Sequence, residues 1–110
     1  MLPESSIRVI MIVNTTKLTV TPEKRIELVQ TIRRLLGSTR TVKGCHTFCF
    51  YLDAVDENSS LLMSEWETES DLERYLRSND FAILSGAIKV LSVRSIVSKA
   101  QVTSHVCRPA

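Results

Sequence analysis

A change from strand periodicity to helix periodicity at residues 64–71 constrains this chain more than any other feature of its sequence. Before it, the aromatic and apolar segment Cys45–Leu52 and the segment at residues 61–66 suit a pleated, half-buried surface. After it, Thr68 offers a side-chain oxygen as an N-cap, and apolar residues recur at three- and four-residue spacing. The sequence therefore predicts two paired strands that lead directly into an amphipathic helix at residues 69–77.

A strand and a helix precede this hairpin. Residues 6–15 are rich in Ile and Val and predict a central strand that Asn14 ends. Thr21-Pro22-Glu23 is typical of a helix start, and the apolar stripe behind it runs to Gly37, where we expect the helix to stop.

A short helix after Ser78 and a half-exposed strand at residues 93–102 complete the chain. The order strand, helix, strand, strand, helix, strand predicts an α+β protein with a ferredoxin-like βαββαβ arrangement, because crossover connections are right-handed. We expect one antiparallel sheet that is covered by helices on one face only.

Composition bounds the class of protein. The chain has 110 residues, 44% of them hydrophobic and 24% charged, which predicts a single globular domain over residues 1–110. We expect a core at about residues 6–102 and a loose C-terminal tail at residues 103–110. A net charge of +2 favours neither a nucleic-acid nor a membrane partner. Without a recognisable secretory signal or an apolar run of ~20 residues, a cytoplasmic location is expected.

The three cysteines are expected to be reduced. Cys45 and Cys49 are four residues apart on a predicted strand, so they would share a face about 13 Å apart, too far for a disulfide. Buried thiols are the expected state of this pair, and Cys107 is expected to be exposed in the tail.

The second strand is apolar on both of its faces. His46, Phe48, Phe50 and Leu52 would alternate with Cys45, Thr47, Cys49 and Tyr51 along it. A sheet face that is neither covered by helices nor fully polar indicates a partner subunit. We therefore expect a homodimer built across the sheet faces.

Three motifs carry a resemblance to a known family. Val42-Lys43-Gly44-Cys45 enters the second strand, Glu65-Trp66 and Thr68-Glu69-Ser70 form the strand-to-helix turn, and Leu76-Arg77-Ser78-Asn79-Asp80-Phe81 follows the helix. Over residues 7–102 the chain resembles the antibiotic biosynthesis monooxygenase superfamily. The resemblance implies a dimeric α/β barrel with antiparallel sheets. Such relatives include quinol monooxygenases that work without metal or flavin, haem-degrading enzymes, and proteins with no established reaction.

The resemblance matches the functional residues of these relatives only in part. Haem-degrading relatives place a pocket Asn at Asn14 and an aromatic residue at Tyr75, but Ser85 stands where they have an iron-ligating His. Quinol-oxidising relatives often carry His residues where this chain has Tyr75 and Asp80. The resemblance therefore implies quinol-type chemistry without a cofactor before it implies haem degradation.

Four residues are candidates for the site. Cofactor-free oxygenation needs a substrate that supplies its own electrons and a dry pocket with a few polar groups. We expect Asn14 and Tyr75 to be catalytic, as donors to a substrate oxygen and to a phenolate. Trp66 is expected to stack on the substrate ring, and His46 is the remaining substrate-binding candidate. The structural alternatives are a turn residue for Asn14, core rings for Trp66 and Tyr75, and a satisfied sheet histidine for His46.

The leading hypothesis is a cofactor-independent monooxygenase that acts on a quinol or polyphenol-like small aromatic molecule. A dimeric small-molecule-binding protein without turnover is the alternative, and haem binding is the weakest one. No Ser-His-Asp set, phosphate loop or metal-ligand spacing occurs in the sequence, so hydrolase, kinase and zinc-enzyme hypotheses have no support.

Overall fold

The computed structural model describes residues 6–107, and it describes side chains for residues 8–105. Four strands and three helices follow one another along the chain. They are β1 (Ser6–Thr19), α1 (Pro22–Thr39), β2 (Cys45–Leu52), β3 (Ser59–Trp66), α2 (Glu69–Leu76), α3 (Asn79–Leu91) and β4 (Arg94–Cys107). None of the helices in this part of the chain is long and apolar enough to cross a membrane.

The strands form one antiparallel sheet in the order β2-β3-β1-β4. This arrangement confirms the predicted ferredoxin-like βαββαβ fold. The first strand pairs with β4 from Ser6 onward, but it pairs with β3 only from Ile12 onward. The ends of β1 and β4 therefore extend beyond the rest of the sheet as a two-stranded ribbon.

The hydrophobic core lies between one face of the sheet and the helices. Its largest fully buried side chains come from the first and third strands and from α1 and α2: Leu18, Leu28, Ile32, Trp66, Leu72 and Tyr75. Alternation along β3 shows why the sheet has a single core side, because its even-numbered residues are buried and its odd-numbered residues are half-buried.

Two predicted boundaries, the ends of β1 and α1, are wrong. Asn14 does not end β1, which runs on to Thr19 because Thr, Lys and Leu residues continue to pair on both sides. Gly37 does not end α1, which continues to Thr39. The hydroxyls of Ser38 and Thr39 both donate to the carbonyl of Leu35, at 3.2 and 3.1 Å, and so satisfy the end of that helix.

The C-terminal segment also differs from its prediction. Residues 103–107, expected to be a loose tail, continue β4 and pair with the beginning of β1. The expected exposure of Cys107 falls outside the described side chains, and residues 108–110 lie outside the described chain altogether.

A β-bulge at His46 changes the predicted faces of β2. Cys45 lies opposite Trp66 and Thr47 lies opposite Glu65, so His46 is an extra residue without a partner on β3. From Thr47 onward the alternation is as expected, but Cys45 is moved to the helix-facing side, where it packs against the core. Cys45 and Cys49 therefore do not share a face, contrary to the prediction, and both are free thiols.

The turn between β3 and α2 is as the sequence predicts. The backbone N–H of Asp71 donates to the hydroxyl of Thr68 at 3.1 Å, which is the expected N-cap. The Asp71 carboxylate accepts from the same hydroxyl at 2.8 Å and pairs with Arg74. These contacts hold its pKa below the usual range, the Thr68 hydrogen bond being the largest cause.

Among the described residues, no helix covers the second face of the sheet. Cross-strand pairs place half-buried apolar residues at its centre, where Met63 lies between Thr15 and Cys49. Tyr51, Ile96 and Val102 lie on the same face and are 37–49% exposed. Hereafter this surface is called the open face.

Candidate active site

A small cavity lies between the helix-facing side of the sheet and helices α2 and α3. Its volume is about 20 Å³, which is room for one water molecule. Three strands and two helices supply its walls: Asn14, Thr16, Phe48, Leu62, Ser64, Tyr75, Phe81, Leu84 and Ile88. Most of the lining is apolar, and the polar groups are concentrated on neighbouring strands β1 and β3 and on Tyr75.

Strand register brings the polar residues of the cavity together. Asn14 of β1 lies directly opposite Ser64 of β3, and Thr16 lies opposite Leu62. Because side chains alternate between faces, residues two apart on a strand point into the same space. Asn14 and Thr16 therefore project to the helix-facing side, together with the two residues opposite them.

Tyr75 is the centre of an aromatic cluster around this cavity. Its ring stacks on Trp66 with centroids 5.0 Å apart. Phe48 and Phe81 approach it edge-on, with centroids at 6.1 and 5.5 Å. Such offset and edge-to-face contacts are favourable arrangements of aromatic quadrupoles, so the cluster fixes the position of the phenol ring.

A short hydrogen-bond chain connects the cluster to β1. The indole N–H of Trp66 donates to the hydroxyl of Ser64 at 2.8 Å, and this hydroxyl lies 3.4 Å from the backbone carbonyl of Asn14 in donor geometry. Ser64 is buried, so both of its contacts are shielded from water. The chain ties the strand that carries Asn14 to the indole on which Tyr75 stacks.

The hydroxyl of Tyr75 is buried and has no hydrogen-bond partner among the described residues. Burial raises the pKa of Tyr75 to about 12, and the negative charge of Asp80 adds to the effect. The nearby Thr39 hydroxyl lowers this pKa by more than Asp80 raises it, but it donates to the Leu35 carbonyl instead of bonding the phenol. At neutral pH Tyr75 is thus an uncharged hydrogen-bond donor with an unused proton.

The structure brings Asn14 and Tyr75 together in this cavity. The turn-residue alternative for Asn14 is not what the structure shows, since the residue lies within a strand. Trp66, expected to bind substrate, does not line the cavity; it is fully buried and stacks on Tyr75, which is the core position given above as its structural alternative.

The fourth candidate lies elsewhere. His46 occupies the bulge, its ring is exposed, and its Nε2 lies 3.7 Å from the carboxylate of Glu67. It does not line the cavity. The bulge is the physical reason, because it rotates the His46 side chain out of the alternation in which Phe48 and Phe50 face the helices.

Ser64, Phe48 and Phe81 are lining residues that sequence reasoning did not select. Ser64 could have been found from its place in the alternation, two residues before Trp66 on the same face of β3. Phe81 offered a weaker signal, since its helix was predicted but the direction of its first turn was not.

A larger hollow lies elsewhere on the molecule and is open to solvent. It measures about 370 Å³ and lies at one end of the open face, between Lys17, Tyr51, Asp53 and Leu61. It contains neither Asn14 nor Tyr75. Within the described residues, no group of three or more His, Cys, Asp or Glu side chains is arranged to hold a metal ion.

Fold and site together define a ferredoxin-like α+β domain with a small aromatic and polar cavity between its sheet and its helices. The sequence model of the antibiotic biosynthesis monooxygenases matches residues 11–83, which is more than half of the chain. The chain therefore belongs to the antibiotic biosynthesis monooxygenase family. It has no sequence match among curated proteins.

Solved structures share this fold at low sequence identity. A protein from Deinococcus radiodurans, named as belonging to the antibiotic biosynthesis monooxygenases, superposes with a TM-score of 0.82 at 16% identity, covering 91% of this chain and 100% of its own. A conserved protein from Bacteroides thetaiotaomicron gives 0.79 at 16%, with 84% and 97% covered. A conserved protein from Methanosarcina mazei gives 0.78 at 21%, with 83% and 91% covered. At these identities the likeness concerns the fold.

Proposed function

We propose that this protein is a cofactor-independent monooxygenase that acts on a quinol or polyphenol-like aromatic substrate. The observation that carries the proposal is that Asn14 and the unpartnered phenol of Tyr75 line one otherwise mostly apolar cavity. A dry site with a few convergent polar groups suits an aromatic molecule that carries oxygen substituents. Membership of the monooxygenase family supports the same reaction class.

The proposed chemistry uses electrons from the substrate alone. A quinol and one O2 give a hydroxyquinone and one water, so that the substrate loses four electrons and the two oxygen atoms are divided between the products. The substrate anion is the species that reacts with O2, because an electron-rich phenolate gives up an electron more readily than a neutral phenol. Asn14 and neutral Tyr75 would hold that oxyanion by hydrogen bonds, and losing one such donor typically costs ~10²–10³ in rate.

A second copy of this chain is proposed to cover the open face. The centre of that face is half-buried and carries Leu61, Met63 and Cys49 beside the polar Thr15 and Glu65, and uncovered apolar area of this kind is typical of an interface. Twofold symmetry would place the same surface of both protomers in contact. A cytoplasmic location remains part of the proposal, supported by free Cys45 and Cys49, since reduced thiols are usual in that compartment.

Oxygen consumption tests the proposed reaction. With a menadiol-like quinol in metal-free buffer, the wild-type protein should consume O2 faster than buffer alone. Tyr75→Phe deletes the hydroxyl and keeps the ring, so the enzymatic rate should fall by ~10²-fold or more. Asn14→Ala should also lower the enzymatic rate, because it removes the other hydrogen-bond donor to the oxyanion.

Tyr51→Phe is the matched control, because Tyr51 is the other tyrosine of the chain and lies half-exposed on the open face. It should keep the wild-type rate. A rate that survives in both Tyr75→Phe and Asn14→Ala would leave an enzyme with a different site.

A non-catalytic small-molecule-binding protein is the second candidate function. One observation favours it: no residue that lines the cavity is a carboxylate or a histidine, and the pKa of Tyr75 lies at about 12. The cavity walls thus offer no base for a neutral quinol at pH 7. In that case a quinol would bind, while the wild-type protein would consume O2 no faster than buffer.

A further inference from the structure

The cavity is too small for the substrate class proposed above. It measures about 20 Å³, whereas an apolar protein cavity that binds benzene measures about 150 Å³. Protein interiors are close-packed, so an aromatic ring can enter only where part of the wall moves away. At least one residue of the cavity wall must therefore be able to move.

Most of the wall is held in place. Phe48, Leu62, Ser64, Tyr75, Leu84 and Ile88 are at most 9% exposed. Asn14 and Thr16 are half-buried, but they belong to β1, which is paired on both sides, to β3 and to β4. Moving either residue would require breaking strand pairing in the centre of the sheet.

Phe81 is the remaining wall residue, and its surroundings differ. It is half-buried and lies in the first turn of α3, where its backbone N–H donates to the cap hydroxyl of Ser78 at 3.2 Å. Its side chain makes an edge-on contact with Tyr75, at 5.5 Å between centroids and 67° between planes. Rotation about the side-chain bonds can take this ring toward solvent while the helix cap stays intact.

We propose that Phe81 determines which ligands this cavity accepts: its ring fills the place that the ring of an aromatic ligand takes when Phe81 swings out. The ring of Phe81 has the size of a monocyclic phenol or quinol, so it reserves space for one ring and not for two. A ligand ring in that place would keep the edge-on contact with Tyr75. Its oxygen substituents would reach the polar side of the cavity at Asn14.

The inference rests on the proposed function because it takes this cavity as the substrate site, but binding without turnover tests it. Calorimetry with phenol and 2-naphthol measures affinity for one and two fused rings. Phe81→Ala vacates the place of one ring without any rotation, so it should bind phenol at least about tenfold more tightly than the wild type, and 2-naphthol should stay the weaker probe in both proteins. Phe81→Trp should bind both probes more weakly than the wild type, because the larger side chain fills the cavity further.

Phe50→Ala is the matched control. Phe50 is also partly buried against the same core, but it does not line this cavity. It should bind both probes as the wild type does. If Phe81→Ala is too unstable to measure, Phe81→Leu should show the same direction of change, since it removes the ring and keeps apolar bulk.

Two results would overturn the inference. One is equal phenol affinity in the wild type and Phe81→Ala, and the other is an equal gain in Phe50→Ala. Oxygen consumption separates this inference from the proposed reaction. Tighter binding in Phe81→Ala without turnover in any variant would reject the monooxygenase and retain the role of Phe81. Turnover of the quinol together with equal binding in the wild type and Phe81→Ala would reject only the proposed role of Phe81.

Discussion

The indole of Trp66 stacks on the phenol ring of Tyr75, with centroids 5.0 Å apart and planes inclined by 26°. Trp66 is the last residue of β3 and Tyr75 lies in α2, so the stack joins the sheet to the helix that follows it. Trp66 is also the only tryptophan of the chain. Its fluorescence therefore reports directly on the wall of the cavity.

Ser64→Ala should destabilise the protein and change the emission of Trp66. The substitution removes the acceptor of the buried indole N–H, and an unsatisfied buried donor costs about 1–3 kcal/mol. Urea denaturation and the emission maximum of the folded protein measure the two effects. Ser60→Ala is the control, because Ser60 is buried on the same face of β3 and its hydroxyl has no partner among the described residues.

In Ser60→Ala we expect a free energy of unfolding within about 1 kcal/mol of the wild-type value, because no hydrogen bond is lost. The emission of Trp66 should stay unchanged. Equal emission spectra in Ser64→Ala and the wild type would contradict the hydrogen bond between Trp66 and Ser64.

The stability of the protein should depend on Tyr75 at alkaline pH. Folding raises its pKa from the ordinary tyrosine value of 10 to about 12, so the unfolded chain loses this proton first as the pH rises. The free energy of unfolding should then fall between pH 10 and 12, with a contribution from Tyr75 on the order of 2 kcal/mol. Below pH 10 the contribution is fully present.

Urea denaturation from pH 8 to 11.5 measures this dependence in the wild type and in Tyr75→Phe. The variant has no proton to lose at this position, so its stability should fall less steeply. All other titratable groups are the same in the two proteins, so their effects cancel in the comparison. Identical slopes would show that the Tyr75 hydroxyl is not buried in solution.

Gly44→Ala should destabilise the protein by roughly 2 kcal/mol or more. Gly44 has a φ of 83°, and a Cβ at this position would collide with the carboxyl group of Asp71. Its carbonyl also accepts from the backbone N–H of Glu67 at 2.9 Å, so the turn cannot shift freely. The midpoint of thermal or urea denaturation measures the loss.

Gly37→Ala provides the opposite expectation. This glycine lies within α1, and apart from the local helix backbone no atom of the described residues lies within 4 Å of a Cβ placed there. The substitution should stabilise the protein by about 0.5–1 kcal/mol, because alanine loses less conformational freedom in a helix. If Gly44→Ala and Gly37→Ala changed the stability of the protein in the same direction, the explanation by backbone conformation would be refuted.

Met63→Arg should prevent the proposed dimer. Met63 lies at the centre of the open face between Thr15 and Cys49, so an arginine there would bury a charge from each protomer in the proposed interface. Sedimentation at micromolar concentration should give twice the chain mass for the wild type and the chain mass for the variant. Val90→Arg, at a side chain of α3 that is 75% exposed, should remain dimeric. A monomeric wild type would remove the proposal.

Much of the fold could be predicted from residues that are close in sequence. The strand Cys45–Leu52 has the predicted bounds, and the Thr68 cap was predicted from its side chain and the acid three residues later. Boundaries were predicted less well where a local signal competed with pairing. Asn14 and Gly37 are typical terminators, yet cross-strand pairing and serine and threonine hydroxyls extend the elements past them.

The sequence by itself determined the order of elements and the Thr68 cap, because periodicity and capping depend on neighbours along the chain. Only the tertiary structure decided that Asn14 meets Ser64 and Tyr75, since the register of β1 against β3 joins residues 50 positions apart. The tertiary structure also decided that His46 lies in a bulge and does not line the cavity. A bulge is set by how two strands fit together, and the residues of one strand alone do not specify it.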